Sequence, residues 1–240
     1  MYDAEITRFM GVDPLAIKNS FESSYAFVHN NPLTYVDPDG RDAILIVFPK
    51  YKVDTETRMG KLPLGHAGVL LIDNETGLTK YYEYGRYSTT DGTKGRVRKV
   101  TISNVVIDPE TGKPTQASLN KVLGQISKKS GQGGDIQGAY VEGSFEQMND
   151  YAQERLKESN AEYDEYDKDR EPYSLTRNNC GTFGCDVIKQ DDSARKNAPW
   201  IFDPTPNNVA EEYQDNFPSV DYDPIENTTT SSIFDKKDQE

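Results

Sequence analysis

An uninterrupted apolar run from Ala43 to Phe48 constrains the fold more than any other stretch of this chain. A strand with one face in water alternates apolar and polar residues, whereas a strand buried on both faces is apolar throughout. The run therefore predicts a strand inside a sheet that is covered on both sides. It is far too short to span a bilayer.

The partners of this strand follow along the chain. An apolar segment from Gly65 to Ile72 and a tyrosine-rich segment from Lys80 to Tyr87 flank the turn signal Asp73-Asn74-Glu75-Thr76-Gly77, which predicts an antiparallel hairpin. The predicted fold class is α+β, an antiparallel sheet with packed helices. Residues 219–240 are polar and are predicted to form a disordered tail. Further strands are expected within Gly95–Asp108 and Ile136–Val141, and helices after Thr115, over Phe145–Leu156 and over Asn207–Tyr213.

The charge balance limits the partners of the chain. Its 40 Asp and Glu against 27 Lys and Arg give a net charge of −13. Nucleic acids and anionic membranes are bound through clustered Lys and Arg, so neither is expected as the main partner. No signal peptide opens the chain, and no stable membrane insertion is expected. Two cysteines do not make a zinc site, and neither a metal nor another cofactor is expected.

The segment from Arg177 to Val187 contains both cysteines. Asn178-Asn179 supplies candidate helix caps, and the apolar spacing that follows predicts a short helix starting near Cys180. Free N–H groups and the helix dipole favour a thiolate at a helix N-terminus. Cys185 lies about 140° further round the helix and is interpreted as structural.

His66, the only histidine after Asp42, lies in the apolar segment that precedes the hairpin turn. Strand alternation places it on one face with Gly68 and Leu70, and its small neighbours leave room for another side chain to approach the ring. An imidazole that takes the proton of a thiol activates the sulfur as a nucleophile. His66 and Cys180 are therefore the candidate catalytic pair, although each alone has an ordinary alternative as a packed core residue.

The order of these motifs resembles the circularly permuted papain-like (NlpC-like) hydrolases and the lecithin:retinol acyltransferase-like proteins. Gly65-His66-Ala67-Gly68-Val69 is similar to their histidine strand, and Asn179-Cys180-Gly181-Thr182-Phe183 to their cysteine helix. The resemblance implies a permuted papain-like fold, with Glu83 as the group that orients His66. The acyltransferases carry Glu-His after the cysteine, where this chain has Gly181-Thr182.

Hairpin pairing leaves the third catalytic residue open. If Asn74 pairs with Leu78, the face that carries His66 also carries Tyr84 and not Glu83, and a register shifted by one residue reverses this. Tyr84 is therefore the alternative orienting or substrate-positioning residue. The backbone N–H of Cys180 and the side chain of Asn179 are the candidate donors to an oxyanion.

Residues 1–41 carry a series of spaced motifs. These are Tyr2-Asp3-Ala4-Glu5-Ile6-Thr7-Arg8-Phe9, Asp13-Pro14, Asn30-Asn31-Pro32 and Tyr35-Val36-Asp37-Pro38-Asp39-Gly40. In this order they resemble the end of the core domain of Rhs-repeat (YD-repeat) proteins. The resemblance implies that a toxin domain follows at residues 42–218 and that Asp13 and Asp37 form an aspartyl autoprotease cutting near Gly40 or Arg41. The alternative is that both aspartates cap turns.

The resulting hypothesis is an antibacterial toxin that acts as a cysteine amidase or peptidase on peptidoglycan peptides. The Rhs resemblance implies an Rhs shell, secretion by a contact-dependent or type VI route into a target cell, and a cognate immunity protein in the producing cell. Alternatives on the same scaffold are a lipid acyl hydrolase or acyltransferase and a protein deamidase. Alternatives of other classes are a nuclease toxin, which the acidic charge disfavours, and a non-enzymatic binding module.

Overall fold

The computed structural model describes residues 2–3, 8–9, 41–54, 60–87, 95–159 and 172–234. The chain divides into two compact units, Met1–Asp39 and Gly40–Glu240. In the first unit, strand β1 (Tyr2–Asp3) pairs antiparallel with strand β2 (Arg8–Phe9). Asp13, Asp37 and Gly40, the residues of the predicted autocleavage, lie outside the described residues.

A seven-stranded sheet forms the centre of the second unit. Its strands are β3 (Arg41–Phe48), β6 (His66–Asp73), β7 (Thr79–Gly85), β8 (Arg96–Val100), β9 (Ile136–Glu142), β10 (Ser219–Asp223) and β11 (Thr228–Thr230). They lie in the spatial order β11-β10-β9-β3-β6-β7-β8, and every neighbouring pair is antiparallel. The short strands β4 (Val53–Asp54) and β5 (Lys61–Leu62) pair with each other outside this sheet. The predicted α+β class with an antiparallel sheet is confirmed.

Strand β3 lies at the centre of the sheet, as the apolar run predicts. Every residue from Ala43 to Phe48 is at most 1% exposed. Alternate residues face opposite sides of the sheet, so that Leu45 packs in one apolar cluster and Ile44 in the other. The prediction of a strand buried on both faces is confirmed.

Helices cover both faces of the sheet. Helix α1 (Gln116–Ser130) packs on the face that carries Ile44. The opposite face is covered by α2 (Phe145–Glu158), α3 (Cys180–Ile188), α4 (Asp192–Asn197) and α5 (Pro206–Asn216). Among the described helices, none has the length and the apolar character that a membrane span requires.

The prediction of a disordered tail over residues 219–240 is wrong for the part that the structure describes, which extends to Phe234. Strand β10 adds to the edge of β9, with Ser219 opposite Ala139. Val220 and Tyr222 are buried, while Asp221 between them is partly exposed. The segment is polar on average, yet these two apolar side chains at strand spacing pack into the core and help to hold it on the sheet.

Asp42 is a buried carboxylate near the start of strand β3. Its Oδ2 accepts hydrogen bonds from the Asn74 side-chain amide and the Tyr140 hydroxyl, while its Oδ1 has no partner among the described residues. Burial raises the pKa of Asp42 to about 7, with the Asn74 hydrogen bond opposing the rise and the nearby Glu142 adding to it. Lys113 forms an ion pair of 3.1 Å with Glu142 and also opposes the rise.

Candidate active site

Helix α3 begins at Cys180 because the preceding residue caps it. Oδ1 of Asn179 accepts hydrogen bonds from the backbone N–H groups of Gly181 (2.8 Å) and Thr182 (3.1 Å). The Thr182 hydroxyl in turn accepts from the N–H of Asn179 at 2.9 Å, which completes a capping box. Cys180 is therefore the first helical residue, at the positive end of the helix dipole, as predicted.

The side-chain amide of Asn179 has a structural role. Its Nδ2 donates to the carbonyl oxygens of Leu175 (2.8 Å) and Pro204 (3.0 Å). Both hydrogens of the amide and its oxygen are thus engaged in holding the helix start and its two flanking segments. The prediction that the Asn179 side chain donates to an oxyanion is wrong, because no donor remains for a substrate.

The structure brings His66 and Cys180 together at one end of the sheet. The two side chains interact electrostatically, each shifting the pKa of the other, and both residues are buried. Nε2 of His66 lies 3.0 Å from Oε2 of Glu83 and 3.0 Å from the hydroxyl of Tyr87. Because Nε2 has these two contacts, Nδ1 is the ring nitrogen that is available to the Cys180 thiol.

The hairpin register places Glu83 on the same face as His66. The turn is closed by Asp73 and Leu78, whose backbone N–H and carbonyl are 2.9 Å apart, so Gly68 is opposite Glu83. Residues opposite each other in an antiparallel pair share a face, and so do residues two apart along a strand. The register therefore agrees with the family resemblance and not with a pairing of Asn74 and Leu78.

Tyr84 points to the other face of the sheet. Its ring packs against Tyr173 and Phe183, its hydroxyl accepts a hydrogen bond of 3.3 Å from Asn178, and the residue is 1% exposed. The alternative in which Tyr84 orients His66 is therefore wrong. A place in an open substrate groove is also excluded by its burial.

Electrostatic interactions at the site favour an ion pair between the sulfur and the ring. Burial lowers the pKa of His66, but Cys180 and Glu83 outweigh it and raise that pKa to about 9. Burial raises the pKa of Cys180, but the imidazolium and the backbone N–H groups of Ala67 and Gly181 lower it overall. Both shifts favour a thiolate beside an imidazolium over a neutral thiol and imidazole.

Glu83 stays ionised although it is fully buried. Burial raises the pKa of this carboxyl, but hydrogen bonds and charge from His66 and Arg98 outweigh burial and lower it. Oε2 of Glu83 faces His66 and also accepts from the Tyr81 hydroxyl at 3.1 Å. Oε1 forms an ion pair with Arg98.

Tyr173 is a residue of the site that the sequence interpretation missed. Burial and the nearby Cys180 sulfur raise the pKa of its hydroxyl, and its ring stacks on Tyr84 at 5.7 Å. The ring of Tyr51 lies 5.0 Å from that of His66 and also contributes to the aromatic surroundings. The only sequence signal for Tyr173 is an aromatic residue shortly before the nucleophile, which is too common to single it out.

Cys185 contributes to packing on the same helix. It is buried, and burial raises the pKa of its thiol to about 11. Such a thiol is a poor nucleophile, in keeping with its interpretation as structural. Within the described ranges, no cluster of three or more His, Cys, Asp or Glu side chains is arranged to hold a metal ion.

Two comparisons with known proteins agree with each other. Residues 32–196 match the model of a family described as type VI secretion system effector TseH-like. The fold matches the crystal structure of the type VI secretion system effector TseH with a TM-score of 0.68 and 36% sequence identity, covering 80% of this chain and 98% of that one. No curated protein matches the sequence.

Proposed function

This chain belongs to the family of TseH-like type VI secretion system effectors, and on that premise we propose that it is a cysteine amidase or peptidase. One observation carries the proposal: a thiol at a helix N-terminus lies beside an imidazole whose Nε2 contacts a buried carboxylate. Nucleophile, base and orienting group are the three parts that cysteine hydrolases need. We propose Cys180, His66 and Glu83 for these roles.

Each of the three groups has a step in the proposed mechanism. Glu83 accepts the Nε2 proton of His66 in a hydrogen bond, which leaves Nδ1 to take the thiol proton. The thiolate of Cys180 then attacks a carbonyl carbon, and the imidazolium returns the proton to the leaving amine. This gives a thioester and a free amine. His66 next removes a proton from water, the hydroxide attacks the thioester, and the acid leaves as the thiol reforms.

The negative oxygen formed in each attack needs donors close to the sulfur. The backbone N–H of Cys180, at the first position of α3, has no acceptor within the helix. The hydroxyl of Tyr173, whose pKa the nearby Cys180 sulfur raises, is the proposed second donor in place of Asn179. Stabilisation of this oxygen by Cys180 and Tyr173 completes the proposed mechanism.

The order of the site residues along the chain supports a permuted papain-like arrangement. The histidine strand β6 precedes the cysteine helix α3, and both pack in the same apolar cluster through Val69 and Phe183. Peptidoglycan stem peptides are the proposed substrate, because an effector delivered into a bacterium meets amide bonds of this type in the cell wall. A cognate immunity protein would then protect the producing cell.

The N-terminal unit is proposed to be the end of an Rhs core. The division of the chain between Asp39 and Gly40 supports this, since it falls where the Rhs-like motifs end and strand β3 begins one residue later. Cleavage near Gly40 by Asp13 and Asp37 would release the second unit. Mass spectrometry of the purified full chain would show a new N-terminus close to Gly40 that is lost in Asp37→Asn.

Expression in two compartments tests the proposed function. The full chain is directed to the cytosol or to the periplasm of a bacterium, as wild type, Cys180→Ala and, as a matched control on the same helix, Cys185→Ala. We expect toxicity in the periplasm that only Cys180→Ala abolishes, together with cleaved stem peptides in muropeptide analysis. Toxicity confined to the cytosol would point to lipid or protein substrates instead. Toxicity that persists in Cys180→Ala would refute the cysteine mechanism.

A further inference from the structure

Arg98 contacts both groups that touch the outer nitrogen of His66. It lies on β8 directly opposite Glu83 on β7, and its Nε forms an ion pair with Oε1 of that carboxylate. Its guanidinium carbon lies 4.2 Å from the centre of the Tyr87 ring. Glu83 and Tyr87 are the two groups within 3.0 Å of Nε2 of His66. The arginine thus reaches the imidazole through two independent neighbours.

The two oxygens of Glu83 have different partners. Oε2 accepts hydrogen bonds from His66 and Tyr81, whereas Oε1 accepts one from Arg98. A carboxylate held on both oxygens cannot rotate about its terminal bond without breaking an ion pair. Glu83 is fully buried with Arg98 in place, so the guanidinium is the charged partner that Oε1 has in the folded chain.

We propose that Arg98 is a positioning residue of the site: it fixes the Glu83 carboxylate and the Tyr87 ring, and so holds His66 with Nε2–H outward and Nδ1 towards Cys180. This inference rests on the proposed function only in taking Cys180 as the nucleophile. Nothing in the sequence motifs marks Arg98, since it belongs neither to the histidine strand nor to the cysteine helix.

Charge balance gives Arg98 a measurable consequence. The thiolate and the imidazolium cancel, and the remaining charge of Glu83 is cancelled by Arg98. Without the guanidinium, this buried cluster carries one excess negative charge, which disfavours the thiolate. If Glu83 takes up a proton in response, His66 loses the charge that stabilises its imidazolium, which again disfavours the thiolate. Both effects raise the pH at which Cys180 ionises.

Alkylation by iodoacetamide measures that pH without any substrate. The full chain carries Cys185→Ala, so that Cys180 is the only thiol. The alkylation rate is followed from pH 4 to 10 in this background and in Arg98→Met, Arg98→Lys and Lys99→Met. The last variant is the matched control, because it removes the same charge from the adjacent, exposed position of β8.

We expect Arg98→Met to shift the inflection of the alkylation profile upward by about one pH unit. Arg98→Lys should give a smaller upward shift, since it keeps the charge but loses the planar guanidinium. Lys99→Met should leave the profile unchanged. An Arg98→Met profile superimposed on the background profile would overturn the inference. If Arg98→Met does not fold, Arg98→Lys decides: an upward shift supports the inference and an unchanged profile overturns it.

Hydrolysis assays separate this inference from the proposed function. If the alkylation profile depends on Arg98 but the chain releases no amine from muropeptides, the hydrolase proposal fails and the positioning role stands. If the chain hydrolyses muropeptides through Cys180 and Arg98→Met changes neither kcat nor the alkylation profile, only the positioning role fails. For Arg98→Met, the expected result is a fall in kcat with little change in KM.

Discussion

Replacement of Asp42 by asparagine should stabilise the protein above neutral pH and have little effect in acid. The folded protein raises the pKa of this carboxyl from an ordinary value near 3.8 to about 7, chiefly through burial. The folded state therefore holds the Asp42 proton more tightly than the unfolded chain does. Stability is consequently lost as the pH rises from about 4 through about 7.

The size of the effect follows from that interval. Each pH unit between the two pKa values corresponds to about 1.4 kcal/mol, so ionised Asp42 costs the folded state about 4 kcal/mol in total. About 2.5 kcal/mol of this accrues between pH 5 and pH 8. Asparagine never ionises and keeps an oxygen for the donors of Asn74 and Tyr140. Its amide also supplies donors where Oδ1 of Asp42 has no partner among the described residues.

Urea unfolding followed by circular dichroism at pH 5, 6, 7 and 8 measures this difference. The free energy of unfolding of Asp42→Asn, minus that of wild type, should increase by about 2.5 kcal/mol across the series. Glu110→Gln, which removes a carboxylate at an exposed turn position, controls for the change in net charge. A difference that stays constant from pH 5 to pH 8 would show that Asp42 does not ionise near pH 7 in the folded state.

Three further changes test the site itself. Glu83→Gln removes the charge that helps to raise the pKa of His66 to about 9, so the alkaline limb of kcat/KM should move to lower pH; an unmoved limb would contradict the orienting role. Tyr173→Phe should lower kcat roughly 10²-fold with little change in KM, and full activity would exclude its hydroxyl as an oxyanion donor. Asn179→Ala removes the cap of the helix that starts at Cys180, and thermal unfolding should show a loss of about 1–2 kcal/mol; an unchanged Tm would contradict the capping role.

The local sequence pattern predicts the sheet because each strand residue is apolar or polar according to whether it is buried. The apolar run of β3 has one explanation, a strand with neighbours on both faces, and the structure confirms it. The segment from residue 219 onward could not be predicted in this way, since Val220 and Tyr222 are two apolar residues in a polar stretch. Their contribution depends on a free edge of β9, which only the assembled sheet provides.

Strand register and competition for the Asn179 amide explain why the sequence-based predictions for Tyr84 and Asn179 were wrong. One residue of slip in the β6–β7 turn decides whether Glu83 or Tyr84 shares a face with His66, and the turn residues alone admit both pairings. Asn179 could be assigned to the helix start from sequence. The carbonyls of Leu175 and Pro204 also accept from its side-chain amide, because two loops meet at this point in the folded chain. No local sequence pattern encodes where those loops meet.

The separation of the two thiols on α3 has a consequence for an effector that leaves the cytosol. Both cysteines are free, and five residues along a helix separate their Cα atoms by roughly 9 Å, beyond the reach of a disulfide. With no third cysteine in the chain, the sulfur of Cys180 has no internal partner for oxidation. The protein can therefore enter an oxidising compartment without an internal crosslink consuming this sulfur.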